Sequence, residues 1–186
     1  LAHFPGWELV SLPRQNRIEA TPIRDDYFGL QGDGSADALT PLANMLPASS
    51  LQFLQQFRQS AEYAALQTEW QMLRRYQASW AAALYPPVFV TVDALLRCGN
   101  EVLLIRRGHA PGKGLLALPG GFVEPRDNLW QSCLRELQEE THCALDETQL
   151  QASLQSVTVF DHPCRSQLGR TITHVHYFDL QRSPKP

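Results

Sequence analysis

Gly121-Phe-Val-Glu-Pro-Arg-Asp127 is followed, after a gap of seven residues, by Arg135-Glu-Leu-Gln-Glu-Glu-Thr-His-Cys143. In the second segment Glu136, Glu139 and Glu140 stand at i, i+3 and i+4, the spacing that gathers side chains on one side of an α-helix. Trp130, Cys133, Leu134 and Leu137 fall on an adjacent side and can anchor such a helix to a sheet. The pattern therefore predicts a helix from Leu129 to about Thr141. Crowded carboxylates repel: a pair about 6 Å apart costs roughly 3 kcal/mol at an effective dielectric near 20. A hard divalent cation offsets that cost. Mg2+ suits best, because it takes oxygen ligands, keeps water and bridges to phosphates, with Mn2+ as the alternative. A charge run alone more often marks a solvated face. Arg135, the Pro119-Gly-Gly121 turn and the seven-residue gap tip the balance towards the ion.

Outward from this segment the chain reads as strands. Val88-Phe-Val-Thr-Val-Asp-Ala-Leu-Leu96 is β-branched and apolar, Cys98-Gly-Asn100 makes a turn, and Glu101–Arg106 returns as the hairpin partner. Gly108–Gly114 is a loop, and Leu115–Leu118 leads into the glycine turn. Downstream, Val157–Phe160 and Thr171–Phe178 are two further strands around a polar loop. Strands, a helix and strands again predict a mixed α/β layered fold. The two loops carry Arg106 and Arg107, and Arg165 and Arg170, among glycines. Guanidinium groups so placed suit phosphates and ribose, so these four arginines are the substrate-binding candidates. His174 and His176 alternate on a strand and are expected to pack rather than bind metal. Cys133 and Cys143 are likewise expected to pack.

Ahead of the strands, Tyr85-Pro-Pro87 breaks a helix and sets a domain boundary. That helix is expected over Ala61–Ala83, with Tyr63, Leu66, Trp70, Leu73 and Tyr76 on one stripe. A shorter one, capped by Ser49 or Ser50, presents Leu51, Phe53, Leu54 and Phe57. Thr21 is read as a cap with Pro22 at the first helical position, Gly29–Ala43 as a mobile loop, and Trp7–Leu12 as a short strand. The abrupt start at Leu1 and the end at Pro186, just after a strand, suggest a fragment of a longer protein.

Composition bounds the partners. The 186 residues are 44% hydrophobic and 19% charged with a formal net charge of −3, which argues against a general nucleic-acid binder. The four cysteines form no C-x-x-C pair. No run approaches the roughly 20 apolar residues of a membrane span, and no signal peptide opens the chain, so a cytoplasmic location is expected. The expected partner is a small-molecule nucleotide, with neither nucleic acid nor membrane; a homodimer is left open.

Residues 121–143 resemble the Nudix box, G-x5-E-x7-R-E-U-x-E-E-x-G-U, where U is a bulky apolar residue. Gly121, Arg135, Glu136, Leu137, Glu139, Glu140 and Cys143 fit it. Asp127 stands where the family has glutamate, so its contact is expected to pass through water and to cap the following helix. His142 replaces a glycine, at some strain in a left-handed conformation. The resemblance implies a Nudix-type α/β/α sandwich with a mixed sheet and a magnesium-dependent hydrolase of a nucleoside diphosphate derivative. It assigns Glu136, Glu139 and Glu140 as metal ligands, one able to act as base, with the Gly120 carbonyl completing the shell. Arg135 holds the glutamates in place.

Tyr85–Asp93, Pro111-Gly-Lys-Gly114, Pro119–Val123 and the Arg165, Gly169-Arg170-Thr171 segment together look like the Nudix half of bifunctional nicotinamide mononucleotide adenylyltransferase/Nudix hydrolases. Those proteins cleave ADP-ribose to AMP and ribose 5-phosphate. Ile18-Glu-Ala-Thr-Pro-Ile-Arg24 is similar to the I-S-x-T-x-I-R motif of the adenylyltransferase, with Glu19 in place of serine. No H-x-G-H is present, so adenylyltransferase activity is not expected from this chain alone. The resemblance implies three parts: 1–45, the C-terminal remnant of a nucleotidyltransferase α/β domain; 46–85, a helical connector; and 86–186, a Nudix domain truncated at its C-terminus. The rival expectation is a non-catalytic ADP-ribose sensor.

Overall fold

The computed structural model describes Gly6, Glu8, Val10, residues 19–30 and residues 36–180; the strand expected over Trp7–Leu12 falls outside that description. The chain divides into two units, Leu1–Thr68 and Glu69–Pro186.

In the first unit, α1 (Ala20–Gly29), a 3-10 turn (Ala36–Leu42), α2 (Ala48–Phe57) and the opening of α3 (Ala61–Ser79) enclose Tyr27, Leu39, Leu42 and Tyr63. The Tyr27 and Tyr63 rings meet edge to face at 5.2 Å, and Tyr27 Oη donates to the Leu54 carbonyl. Burial pushes the Tyr27 phenol up to about 12. Three local expectations are corrected here. Thr21 does not cap α1: the helix already starts at Ala20, and the Thr21 hydroxyl accepts from Arg24. Neither Ser49 nor Ser50 caps α2, whose cap position is Pro47. Part of the expected 29–43 loop winds into the 3-10 turn, where Leu39 and Leu42 reach the core.

The second unit is built on β1 (Val88–Cys98), whose even residues Val92, Ala94 and Leu96 are buried. β1 runs parallel to β7 (Arg170–Leu180) and antiparallel to β5 (Gly120–Phe122) and β2 (Glu101–Val102); β6 (Leu154–Phe160) pairs antiparallel with β7 at the far edge. The result is a mixed sheet. The even face of β1 is covered by α4 (Leu129–Thr141) and α5 (Glu147–Ser153), through Cys133, Leu137 and Leu150. On the odd face, Tyr76 of α3 and Trp80 just beyond it pack on Phe89, with ring centroids 5.8 and 5.7 Å away.

The expected hairpin partner Glu101–Arg106 is split. Glu101–Val102 stays with β1, whereas β3 (Ile105–Arg106) pairs with β4 (Leu116–Ala117) in a separate ribbon. The chain leaves the sheet edge at Leu103–Leu104, because β5 takes the next stretch of that same edge of β1. α3 ends at Ser79 rather than Ala83, the chain turning before Pro86. α5 was not foreseen; its seven residues are too few to show a helical period. The four cysteines are free thiols. Burial pushes Cys133 up to about 12, an inert packing thiol as expected. No described helix is long and apolar enough to cross a membrane.

Candidate functional site

α4 starts where the sequence allows it to start sharply. Asn128 accepts from Gln131 N–H at 2.9 Å while the Gln131 side chain accepts from Asn128 N–H at 3.0 Å, a reciprocal capping box. Asp127 therefore does not cap the helix. Its carboxylate pairs directly with Arg135 Nε at 3.3 Å. The helix closes on His142 in the left-handed conformation at φ 51°, as expected for a position that suits glycine.

Arg135 is the hub of the acidic turn. It contacts Asp127, Glu136 Oε1 (3.0 Å), Glu139 Oε2 (3.1 Å) and the Phe122 carbonyl. The three glutamates sit in different surroundings. The Glu136 side chain is only 15% exposed and Glu139 is 59% exposed. Burial raises the Glu136 carboxyl above its usual range, Arg135 opposes this, and Glu140 and Glu139 add to it. Glu140 Oε2 accepts from Gly120 N–H at 2.9 Å.

The two glycines of β5 are required for different reasons. At Gly121 a Cβ would sit 2.5 Å from Glu136 Oε1, so the carboxylate occupies the space a side chain would fill. At Gly120 a Cβ would fall 2.2 Å from the Val92 carbonyl oxygen, and the strand ladder sets where its own backbone groups point. Ala94 N–H donates to the Pro119 carbonyl and Val123 N–H to the Val90 carbonyl, which makes Asp93 and Gly120 a non-hydrogen-bonded pair. Both backbone groups of Gly120 therefore point away from β1. The N–H is held by Glu140, and the carbonyl lies on that same side.

Among the described residues no three carboxylate, imidazole or thiolate groups converge closely enough to cage an ion. The donor set nevertheless fits a hard divalent cation. Two carboxylates from α4 bracket the glycine strand, burial disfavours the anion of Glu136, and the Gly120 carbonyl lies on the Glu140 side. A cavity of about 380 Å3 beside Glu140, lined also by Leu103, Ile105, Arg106 and Gly108, opens next to this corner.

The arginine candidates are placed unequally. Arg106 shares that cavity with Glu140, with one nitrogen donating to the Gly114 carbonyl. Arg107 Nε donates to the Pro111 carbonyl and holds the 107–114 loop, whose Gly112 N–H is taken by Glu69. Arg165 donates to the Thr173 hydroxyl, and Arg170 is bonded to the Asp161 carbonyl at the base of its hairpin. The sequence reading missed Asp93. Its carboxyl lies over Gly120, where a Cβ would be 2.5 Å from Oδ1; its pKa is raised by burial and by Glu140, against Arg165 and Arg107. An acid in the middle of an apolar strand run was the available signal.

A mixed sheet with an acidic helix braced by arginine against a double-glycine strand is a Nudix α/β fold. The NUDIX domain family model matches residues 87–186, and the chain belongs to that family. It is 35% identical over 97 residues to the ADP-ribose pyrophosphatase of Methanocaldococcus jannaschii, covering 52% of this chain and 54% of that protein. A bifunctional NMN adenylyltransferase/ADP ribose pyrophosphatase from Francisella tularensis, complexed with AMP and Mn ion, superposes with a TM-score of 0.78 at 34% identity. That likeness covers 99% of this chain and 53% of the other. The chain thus spans about half the length of these relatives.

Proposed function

We propose that this chain is a Mg2+-dependent Nudix pyrophosphatase that hydrolyses ADP-ribose to AMP and ribose 5-phosphate. The observation that carries the reading is the pair Glu136 and Glu140 set about Gly120-Gly121 and braced by Arg135. The two ADP-ribose pyrophosphatase relatives support the substrate. The Mn ion in one of them accords with a divalent cofactor and leaves Mn2+ as an alternative to Mg2+. The Francisella likeness, running across almost the whole chain, supports reading residues 1–45 as part of an adenylyltransferase domain and the longer protein as acting in NAD metabolism.

Glu136, Glu139, Glu140 and the Gly120 carbonyl would hold the ion, which supplies Lewis-acid neutralisation of the diphosphate charge when bound. Arg135 ties Glu136 and Glu139 by ion pairs of 3.0 and 3.1 Å, which limits their rotation. Arg106, beside Glu140, and Arg165, Arg107 and Arg170 in the flanking loops offer guanidinium donors to the phosphate oxygens. A water oxygen forms a new bond to one phosphorus as that phosphorus's bond to the bridging oxygen breaks. The electron pair stays on the departing phosphate, and the water proton passes to a carboxylate of the acidic turn or to solvent.

AMP release from ADP-ribose with Mg2+ tests the reading. Glu140→Gln, isosteric but uncharged, is expected to lower kcat by about 100-fold or more. Undiminished release in that variant would refute the role given to Glu140. Tight ADP-ribose binding without turnover by the unaltered chain would replace the enzyme with a sensor.

A further inference from the structure

The face of the sheet opposite α4 is organised in rows across the strands. One row runs Phe122, Thr91, Thr173, Phe160 from β5 to β6, spanning three strand spacings, or about 14 Å. Its floor is a threonine pair whose hydroxyls lie 2.6 Å apart, and Arg165 reaches back from the β6–β7 loop to bond Thr173. The flanking rings are open, Phe122 44% and Phe160 49% exposed. The Gln167 carbonyl accepts from Gln77, which ties that loop to the end of α3.

The next row runs Gly120, Asp93, Val175, Thr158. Asp93 is thus one strand from the backbone corner that Glu140 holds, on the face that carries the aromatic row. Among the described residues its carboxylate makes no hydrogen bond, although Arg165 and Arg107 act on it electrostatically. Its oxygens are not shut off from solvent, so a ligand can reach them. A phosphate placed there would be repelled, while a group bearing hydroxyl hydrogens would satisfy it.

We propose that Asp93 is a specificity-determining residue, the acceptor for a vicinal diol on a ribose of the substrate, with Arg165 beside it turning from Thr173 to the diphosphate. The inference rests on the hydrolase reading for its substrate class, and it adds what the acidic helix cannot supply: selection between sugars. The Asp93 carboxyl leans over Gly120, so a ribose joined to a diphosphate bound at the neighbouring acidic corner would come within its reach. The open rings of Phe122 and Phe160 bound the row beyond.

Binding in EDTA isolates this face from catalysis. The probes are ADP-ribose, ADP (no terminal ribose) and 2′-deoxy-ADP-ribose (one adenosine hydroxyl fewer), titrated calorimetrically against the unaltered chain, Asp93→Asn and Arg165→Ala. Asp93→Asn is expected to weaken ADP-ribose by about tenfold or more. It should leave unchanged the probe that lacks the hydroxyl Asp93 reads. Arg165→Ala should weaken all three, since each carries the diphosphate. Equal weakening of all three by Asp93→Asn, no change in any, or tighter binding of all would each overturn the proposal. Failure of the unaltered chain to bind ADP-ribose would do the same. Thermal melting of Asp93→Asn, close in size to the native residue, confirms that the fold is kept. Turnover with Mg2+ is scored separately: diol-dependent binding without AMP release would retain Asp93's role and sink the hydrolase reading.

Discussion

His142 sits at φ 51°, ψ 34° directly after the helix that carries the acidic turn. Its N–H still donates to the Gln138 carbonyl at 2.9 Å, so the helix ends properly at the expense of backbone strain. Glycine removes that strain but frees the unfolded chain, so the two effects partly cancel. His142→Gly is expected to raise stability by about 0.5 kcal/mol and to leave ADP-ribose turnover unchanged, measured by urea unfolding. His176 carries a different cost. It is 3% exposed between Trp130 and Phe178, and its Nδ1 has no partner. Burial holds its pKa below the usual 6.5, a backbone bond with His174 opposing and the His174 charge adding. The unfolded chain therefore takes up the proton first as the pH falls. Stability is full above about pH 6.5 and declines as pH drops towards the folded pKa. The urea midpoint should fall over that window, and His176→Leu should flatten the fall; an equal fall in that variant would assign the acid sensitivity to other groups.

The capping box sets where α4 begins. Asn128 and Gln131 supply it, and the same device recurs at α5 with Asp146 and Gln149. Asn128→Ala removes one acceptor and exposes the first turn, a loss of about 1 kcal/mol. Packing of Cys133 and Leu137 still seats the helix, so kcat should hold within about threefold while the melting midpoint drops. A large fall in kcat with unchanged stability would mean that the cap positions the glutamates directly. The strands behave otherwise. The run Glu101–Arg106 had the composition of one strand, and competition for the edge of β1 divided it between two sheets.

Two hydrophobic cores, one about Tyr27, Leu42 and Tyr63 and one about Val92, Leu137 and Phe178, stabilise the two units. The second core includes residues of α4, so an ion bound at Glu136 and Glu140 stabilises that unit by mass action. At a free concentration about 100-fold above its dissociation constant the gain is roughly 2.7 kcal/mol. Millimolar Mg2+ should therefore raise the melting temperature, EDTA should reverse the rise, and Glu136→Gln should lose most of it. A melting curve indifferent to both Mg2+ and Mn2+ would show that the acidic turn holds no ion.

The sequence by itself determined the helix of residues 129–141, its anchoring face, its acidic spacing and the left-handed His142, because each depends on neighbours within one or two turns. It also placed Arg135 beside the glutamates. Only the tertiary structure decided that Gly120 turns both backbone groups outward, that Gly121 makes room for Glu136, and that Asp93 and Arg165 face the same side of the sheet. Those facts depend on cross-strand register between segments some 30 to 80 positions apart. Local pattern carries no such information: a slip of one residue would send every one of these side chains to the other face.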